Sequence, residues 1–371
     1  MRICYVLAYR DPQYIRSLSL LAALERNPGI EVFHAINRSR GAMRYVETLQ
    51  SLLRIRRDHH PDLYILGFRG HEITWLIRRL TRDRLLVFDA LMSPYAALIE
   101  ERKAGILGVI LGWLWRPWET HALLTADLVL TDTAPHAAYY ACAFGLSPER
   151  ALPIPVGAVE SATLLDVLAH KPDANQFSIL FYGSFLPLHG IDVIVAAAAL
   201  VKDLPLRFDF IGGNAAQAYR LHALCTRLGV TRYTHRTWVS FDELISREIP
   251  AADLCLGGPF EDTPQARRVV TGKTSQCLAL GRPTVIGAIK ADYGFADKHN
   301  CLLVAQGDAQ NLAAALRWAW EHREALPALG AAGQKLYAER LSVSAIAKML
   351  GPALQNLAAT ATASAVRKDM Q

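Results

Sequence analysis

The feature that most limits what this chain can fold into is an alternation. Short, nearly continuous runs of Ile, Val, Leu and Phe recur along residues 2–156 and again along 177–304, with patterns of helical length between them. Runs that are apolar at every position suit strands covered on both faces. Strands separated by helices suit a parallel sheet. The expected fold class is therefore α/β, built as doubly wound, Rossmann-like domains.

The first series of expected strands is Arg2–Ala8, Ile30–Ile36, Asp62–Gly67, Leu85–Leu91, Ala126–Thr131 and Ala151–Val156, with helical patterns such as Gly41–Arg57, Glu72–Leu80 and Ile99–Leu124 between them. The pattern lapses over Ser161–Gln176, which ends in the polar KPDANQ and reads as a linker. A second series follows at Phe177–Gly183, Leu206–Gly212, Tyr233–Val239, Asp253–Gly258, Pro283–Ala288 and Cys301–Val304. Helical patterns dominate from Ala309 to about Ala359. The expected organisation is an N-terminal domain over 1–160, a C-terminal domain over 177–342, a helix over 343–359 that packs back towards the N-terminal domain, and a flexible tail over 360–371. The 371 residues suffice for two such domains.

Charge narrows the partners. The net charge is +6 and the pI about 9.0. That excess suits a phosphate-bearing substrate or an anionic membrane surface. No basic run with interleaved aromatics is present, so no nucleic-acid partner is expected. The six cysteines form no CxxC and share no zinc spacing with histidines, as for free thiols in a reducing, cytoplasmic setting. The N-terminus lacks the shape of a signal peptide, and the longest apolar stretch, Gly105–Trp115, is too short to span a bilayer. No GxGxxG follows the first strand and no P-loop occurs, which argues against a nicotinamide dehydrogenase and a P-loop enzyme.

Two segments carry most of the chemistry. In Phe181-Tyr-Gly-Ser-Phe-Leu-Pro-Leu-His-Gly190 a strand runs through two glycines into a helix start near Ile191. Such a turn either lets a phosphate approach the backbone and the free helix N–H groups, or is an ordinary strand-to-helix connection. In Thr271-Gly-Lys-Thr-Ser-Gln-Cys-Leu-Ala-Leu-Gly-Arg-Pro283 a helix begins after Gly272 and ends at Gly281. Lys273 sits in its first turn, where a cation opposes the helix dipole unless an anion is bound. The plainer reading is a solvated lysine near a loop.

With these residues in view, the chain resembles the family 4 retaining glycosyltransferases. Lys273, Ala279, Gly281 and Pro283 match that family's late helix, Lys-x-x-Glu-x-x-Ala-x-Gly-x-Pro. The stretch Asn300-Cys-Leu-Leu-Val-Ala-Gln-Gly-Asp308, followed by a Leu/Ala helix, matches its ending. FYGSFLPLHGID, FIGG, LGGPFEDT and ARRVVTGK are similar to a prokaryotic branch. The resemblance is good over 177–325, looser over 85–160 and slight over the first 80 residues. It implies two Rossmann-like domains facing across a cleft, the GT-B fold. It also implies a nucleotide-diphosphate sugar held by the C-terminal domain. The acceptor, a glycan, a lipid-linked molecule or a small molecule, would be met by the N-terminal domain. A hexosyl or related transfer with retention, in cell-envelope polysaccharide or glycan biosynthesis, is the implied reaction. No cofactor and no metal are expected, and no Asp-x-Asp is present.

The residues this places at the donor are Gly183, Ser184, His189, Gly190, Glu261, Asp262, Arg268, Lys273, Thr274 and Gln276. Four of them depart from the family pattern. Ser184 and His189 stand where an Arg and a Lys are usual. Gln276 replaces the late Glu that is expected to meet the ribose. Arg268 stands where another Glu is common. Arg267, Arg268, Lys273 and protonated His189 are the candidates to neutralise phosphate instead. These departures keep two other readings open: a glycosyltransferase-like nucleotide-binding protein without catalysis, and a sugar-nucleotide epimerase.

In the N-terminal half, Arg69 and His71 of Gly67-Phe-Arg-Gly-His-Glu72, and Asp89 after the fourth strand, are catalytic or acceptor candidates, weighed against an ordinary surface loop. Arg10, Asp11 and Arg16 follow the first strand and face the same cleft in this reading. The stretch Arg102–Trp118 combines an apolar run, three Trp and flanking cations, and Arg-rich Ile77–Arg84 precedes it. It is either a helix buried in the N-terminal domain, broken or kinked at Pro117, or a peripheral anchor at the inner face of an anionic membrane.

Overall fold

The computed structural model describes residues 1–101, 105–159, 176–291 and 293–369. The chain divides into two compact units, one of 1–157 with 343–371, the other of 158–342. The linker expected over Ser161–Gln176 lies outside the described residues as far as 175.

The first unit holds six parallel strands: β1 (Arg2–Leu7), β2 (Glu31–Ile36), β3 (Leu63–Leu66), β4 (Leu85–Asp89), β5 (Leu128–Thr131) and β6 (Ala151–Pro153), in the order β2-β1-β3-β4-β5-β6. Its helices are α1 (Ile15–Glu25), α2 (Met43–His59), α3 (Thr74–Leu80), α4 (Pro94–Ile99), α5 (Gly105–Thr125) and α6 (Ala134–Phe144). Successive side chains of a strand point to opposite faces. Cys4 and Val6 accordingly pack with Leu52, Ile77, Ala122 and Tyr140 of α2, α3, α5 and α6. Ile3, Tyr5 and Leu7 pack on the other face with Leu20 and Leu24 of α1. That second face is completed by Ile346, Leu350 and Leu354 of the last helix, Val343–Asp369. The C-terminal helix is thus part of the first unit's core. It continues through the residues read as a flexible tail, as far as Asp369.

The helix expected over Ile99–Leu124 starts later, at Gly105, and Ile99 instead ends a separate short helix, α4. Ser93 caps α4 by accepting from the Ala96 N–H, with Pro94 at the first helical position. A new start at Gly105 opens α5, which runs through Pro117.

The second unit repeats the plan with β7 (Phe177–Gly183), β8 (Leu206–Gly212), β9 (Tyr233–Arg236), β10 (Leu254–Leu256), β11 (Thr284–Gly287) and β12 (Leu302–Val304). All are parallel, in the order β12-β11-β10-β7-β8-β9. Helices α7 (Ile191–Leu200), α8 (Ala215–Leu228), the short α9 (Phe241–Glu243) and α10 (Ile249–Ala251), α11 (Gly272–Ala279), α12 (Ala309–Glu321) and α13 (Leu326–Leu336) cover it, leaving Val343–Asp369 as α14. Phe177, Ile179, Phe181, Phe208 and Phe210 form one buried face with α7, α8 and α12, while Leu180, Ile211 and Cys255 form the other with Cys277 of α11.

Each sheet reverses its winding direction once, between β1 and β3 in the first unit and between β7 and β10 in the second. In such sheets ligands bind outside the carboxyl ends of the strands at that switch point.

Candidate donor site

At the second switch point the chain leaves β7 at Gly183 (φ 142°), turns through Pro187–His189 and enters α7 at Gly190 (φ 66°). Gly190 cannot be replaced without movement, because a Cβ there would lie 2.6 Å from the Glu261 nitrogen. This contact seats the loop against the segment after β10, with Glu261 N–H donating to Leu188 O at 3.3 Å. Gly212, at the end of β8, is pressed harder still: a Cβ would come within 1.9 Å of Gly183 O.

Helix α11 starts at the same strand ends. Thr271 caps it, its hydroxyl accepting from Thr274 N–H at 3.4 Å and donating to Gly257 O at 2.6 Å. Thr274 is fully buried, and its hydroxyl reaches Gly258 O at 3.4 Å. The first-turn N–H groups of a helix have no intrahelical acceptors, so α11 offers donors and the positive end of its dipole here.

Lys273, in that first turn, is only 8% exposed. Its ammonium lies 5.3 Å from the centroid of the Phe181 ring. It comes within 3.5 Å of where a Gly183 Cβ would stand. Among the described residues no carboxylate pairs with it. Burial lowers its pKa from the usual 10.5 to about 7, with a small opposing pull from Cys277. His189 is also buried; its Nδ1 accepts from Leu186 N–H at 3.2 Å, so the neutral ring carries its proton on Nε2.

The structure brings Gly183, His189, Gly190, Lys273 and Thr274 together, with the backbone of Glu261 behind Gly190. Ser184 is exposed and Arg268 half-buried. Asp262 and Arg267 form an exposed ion pair, with Arg267 Nη2 donating at 2.7 Å. Gln276 is 1% exposed, and its Oε1 accepts from Val159 N–H at 3.1 Å, which leaves a buried Nε2 without a partner.

Next to this loop lies a cavity of about 550 Å³ between the carboxyl ends of β7, β8 and β9, lined by Tyr182, Gly183, Gly212, Asn214, Trp238 and Val239 among others. Gly183 belongs both to this cavity and to the surroundings of Lys273. Trp238, 77% exposed, was not singled out in the sequence; the FIGG at the end of β8, which lines the same cavity, was the available signal.

At the first switch point Tyr9, Tyr14 and Phe68 pack ring on ring, with centroids 5.0 and 5.1 Å apart for the two pairs involving Phe68. Arg10 and Asp11 are exposed beside them. Arg69 adopts a left-handed conformation (φ 64°) and approaches Glu72 at 4.0 Å. His71 is 2% exposed, edge-on to Phe88, and both ring nitrogens lack a partner. Burial, aided by the Arg69 charge, lowers its pKa to about 3, so it stays neutral.

Arg16 and Asp89 lie elsewhere than on an open surface. Both are fully buried and joined at 2.8 Å. The same guanidinium donates to the carbonyls of Thr131, Ile154 and Pro155. This geometry clamps the ends of β4, β5 and β6. A second buried pair, Asp132 Oδ1 and His136 Nδ1 at 2.7 Å, stands beside it. The i, i+4 spacing at the start of α6 was its only sequence signal.

No three His, Cys, Asp or Glu side chains gather as metal ligands among the described residues. No curated protein matches the sequence. Among solved structures, sucrose-phosphate synthase from Thermosynechococcus elongatus superposes with a TM-score of 0.71 at 17% identity, covering 97% of this chain and 100% of that one. HepE of Anabaena, solved with UDP and glucose, gives 0.65 at 17%, covering 96% and 100%. A glycosyltransferase from Rickettsia africae gives 0.68 at 10%, covering 96% and 98%. At these identities the likeness is one of fold, and it extends over both Rossmann-like units. Residues 176–322, within the second unit and holding the whole candidate site, match the family model described as Glycosyl transferases group 1.

Proposed function

We propose that the protein is a glycosyltransferase that takes a sugar from a nucleotide-diphosphate donor. The observation that carries this reading is Lys273: a buried cation without an anionic partner among the described residues, at a helix start and against a glycine loop, within the segment that matches the glycosyl transferase model. Burying a charge is costly unless a counter-charge arrives. A diphosphate supplies it, and the first-turn N–H groups of α11 add donors. The cavity beside Gly183 has a size that suits the nucleoside. HepE, of the same fold, is a protein solved with UDP and with UDP-glucose, which supports a uridine donor here.

In the transfer, the bond from the sugar C1 to the diphosphate oxygen breaks, and its electron pair leaves with the phosphate. The acceptor hydroxyl forms the new C1–O bond and passes its proton to the departing diphosphate oxygen. Negative charge grows on the leaving diphosphate, where Lys273 and α11 stabilise it. We place the acceptor, a glycan or lipid-linked molecule, at the β1/β3 strand ends of the first unit, near Arg10, Asp11 and Arg69. Retention at C1 and independence of metal belong to the same proposal.

Incubation with a panel of nucleotide sugars and candidate acceptors tests it. Transfer that persists in EDTA, with the donor's anomeric configuration kept in the product by NMR, is expected. The engagement of Gln276 Oε1 by the chain's own Val159 favours one alternative, a nucleotide-binding protein without catalysis. That reading predicts tight donor binding and no turnover with any acceptor. A changed sugar without acceptor would mark an epimerase.

A further inference from the structure

Helix α5 is inside out. Leu107, Ile110, Leu111, Leu114 and Trp118 recur at one-face spacing, and each is between 44% and 66% exposed. The buried side carries Gly108, Gly112 and Glu119, the last two against α4, together with Ala122 against the sheet. Gly112 is tight there, because a Cβ would lie 2.8 Å from Ile99. Glu119, the only carboxylate of α5, is fully buried and accepts from Tyr95 N–H at 2.9 Å. A helix that buries its acid, Gly108 and Gly112 while presenting Leu, Ile and Trp to the outside has a face built for an apolar partner.

The surroundings of the stripe are cationic. Arg116 holds its guanidinium 5.4 Å from the Trp113 ring, itself 55% exposed. Helix α3 packs beside α5 and exposes Trp75 and Arg79. Arg82 and Arg84 follow on the exposed turn; the acid between them, Asp83, pairs with Arg56 at 2.9 Å. Arg102 and Lys103 precede α5 in the sequence. Among the described residues no helix is long and apolar enough to cross a membrane. An apolar, Trp-bearing helix face with no exposed acid on α5 itself, and a border over 75–84 in which Asp83 is the one acid and is matched by Arg56 and Arg84, suits the interface of an anionic bilayer, where Trp sits at headgroup level and cations meet lipid phosphates. We propose that the first unit docks on anionic lipid through α5, with the helix in the plane of the surface. This stands apart from the donor site, so either can fail alone.

The test is flotation of the full chain with vesicles of phosphatidylcholine alone or mixed with phosphatidylglycerol, at low and high salt. Binding to the mixed vesicles at low salt, weaker to phosphatidylcholine and weaker in high salt, is expected. A Leu111→Gln, Leu114→Gln, Trp118→Gln variant should lose about 100-fold in partitioning, from the apolar area withdrawn from the lipid. Its nucleotide-sugar binding and circular dichroism should match the parent. Arg79→Glu should halve the salt dependence without removing binding. Failure of the parent to float with anionic vesicles at low salt overturns the proposal, as does equal flotation of the triple variant. A parent that sediments as a dimer, and becomes monomeric in the triple variant without any vesicle binding, assigns the face to a second copy instead.

Discussion

The Lys273 ammonium stands 5.3 Å over the ring of Phe181, and that ring is the nearest thing it has to a counter-charge. With its pKa near 7, the free protein holds Lys273 half-protonated at neutrality. A bound diphosphate raises that pKa. At pH 6 the lysine is charged before and after binding; at pH 8 it must gain about one proton on binding. Calorimetry in buffers of different ionisation enthalpy should show this uptake at pH 8 and not at pH 6. Stability runs the other way. The folded pKa lies below the unfolded 10.5, so the unfolded chain binds more protons between about 7 and 10.5, and the empty protein gains stability as pH rises through that window. Lys273→Met should flatten both dependences; unchanged proton uptake in the variant would remove Lys273 from the anion's contacts.

Gln276 gives its oxygen to Val159 N–H and keeps Nε2 buried and unpartnered. In Gln276→Glu one carboxylate oxygen can keep the Val159 bond and the other can accept from a ribose hydroxyl, a contact roughly twice as strong with a charged acceptor. Donor affinity should rise by about tenfold, the order of one charged hydrogen bond. Weaker binding of every nucleotide sugar would separate Gln276 from the ribose.

Asp89→Asn should strand the Arg16 charge in the core and cost about 3–5 kcal/mol in urea denaturation. The paired change Arg16→Met with Asp89→Leu should recover most of that loss, because the desolvation of both charges goes with the pair. A single-variant cost under about 1 kcal/mol would show that the clamp is not needed to hold the ends of β4 to β6.

Gly212→Ala drives a Cβ to within 1.9 Å of Gly183 O at φ 120°. It should cost about 1–3 kcal/mol and also weaken donor binding, since the Gly183 end of β7 must move. Gly145→Ala is the comparison. Its φ is 72° with nothing within 4 Å of the added Cβ, so it should cost about 1 kcal/mol and leave donor binding intact. Equal effects of the two on donor affinity would argue against the shared wall at Gly183.

Most strands were legible because their runs are nearly continuously apolar, as in β1, β3, β4, β5 and β10, and a strand covered on both faces has little polar alternation to blur it; the edge strands β2 and β9 keep polar residues such as Glu31, His34, His235 and Arg236. Lys273 and the Gly183–Gly190 loop were legible because both sit where a strand or loop feeds a helix, so local spacing carries the geometry. What escaped the sequence is long-range. Arg16 reads as an arginine facing the cleft after the first strand until Asp89, 73 residues away, closes on it. Gln276 meets Val159 across 117 residues. The stretch around Trp113 and Trp118 is as apolar as a core helix, and only the buried Glu119 on the opposite side shows which face turns outward. Ile99, expected to open the helix that runs to Leu124, instead ends α4, which the Ser93 cap and Pro94 start, and α5 begins at Gly105.

The central claim is that the second unit holds a donor diphosphate against Lys273. Calorimetric titration of a panel of nucleotide-diphosphate sugars into the parent and into Lys273→Met, at pH 6.5 or about half a unit below the lysine's pKa, tests it most directly. At least one nucleotide sugar should bind the parent, and the same compound should lose about 1.5–3 kcal/mol in the variant, the scale of a hydrogen bond to a charged group. Equal affinity in the two proteins, or no binding of any nucleotide sugar to the parent, would contradict it.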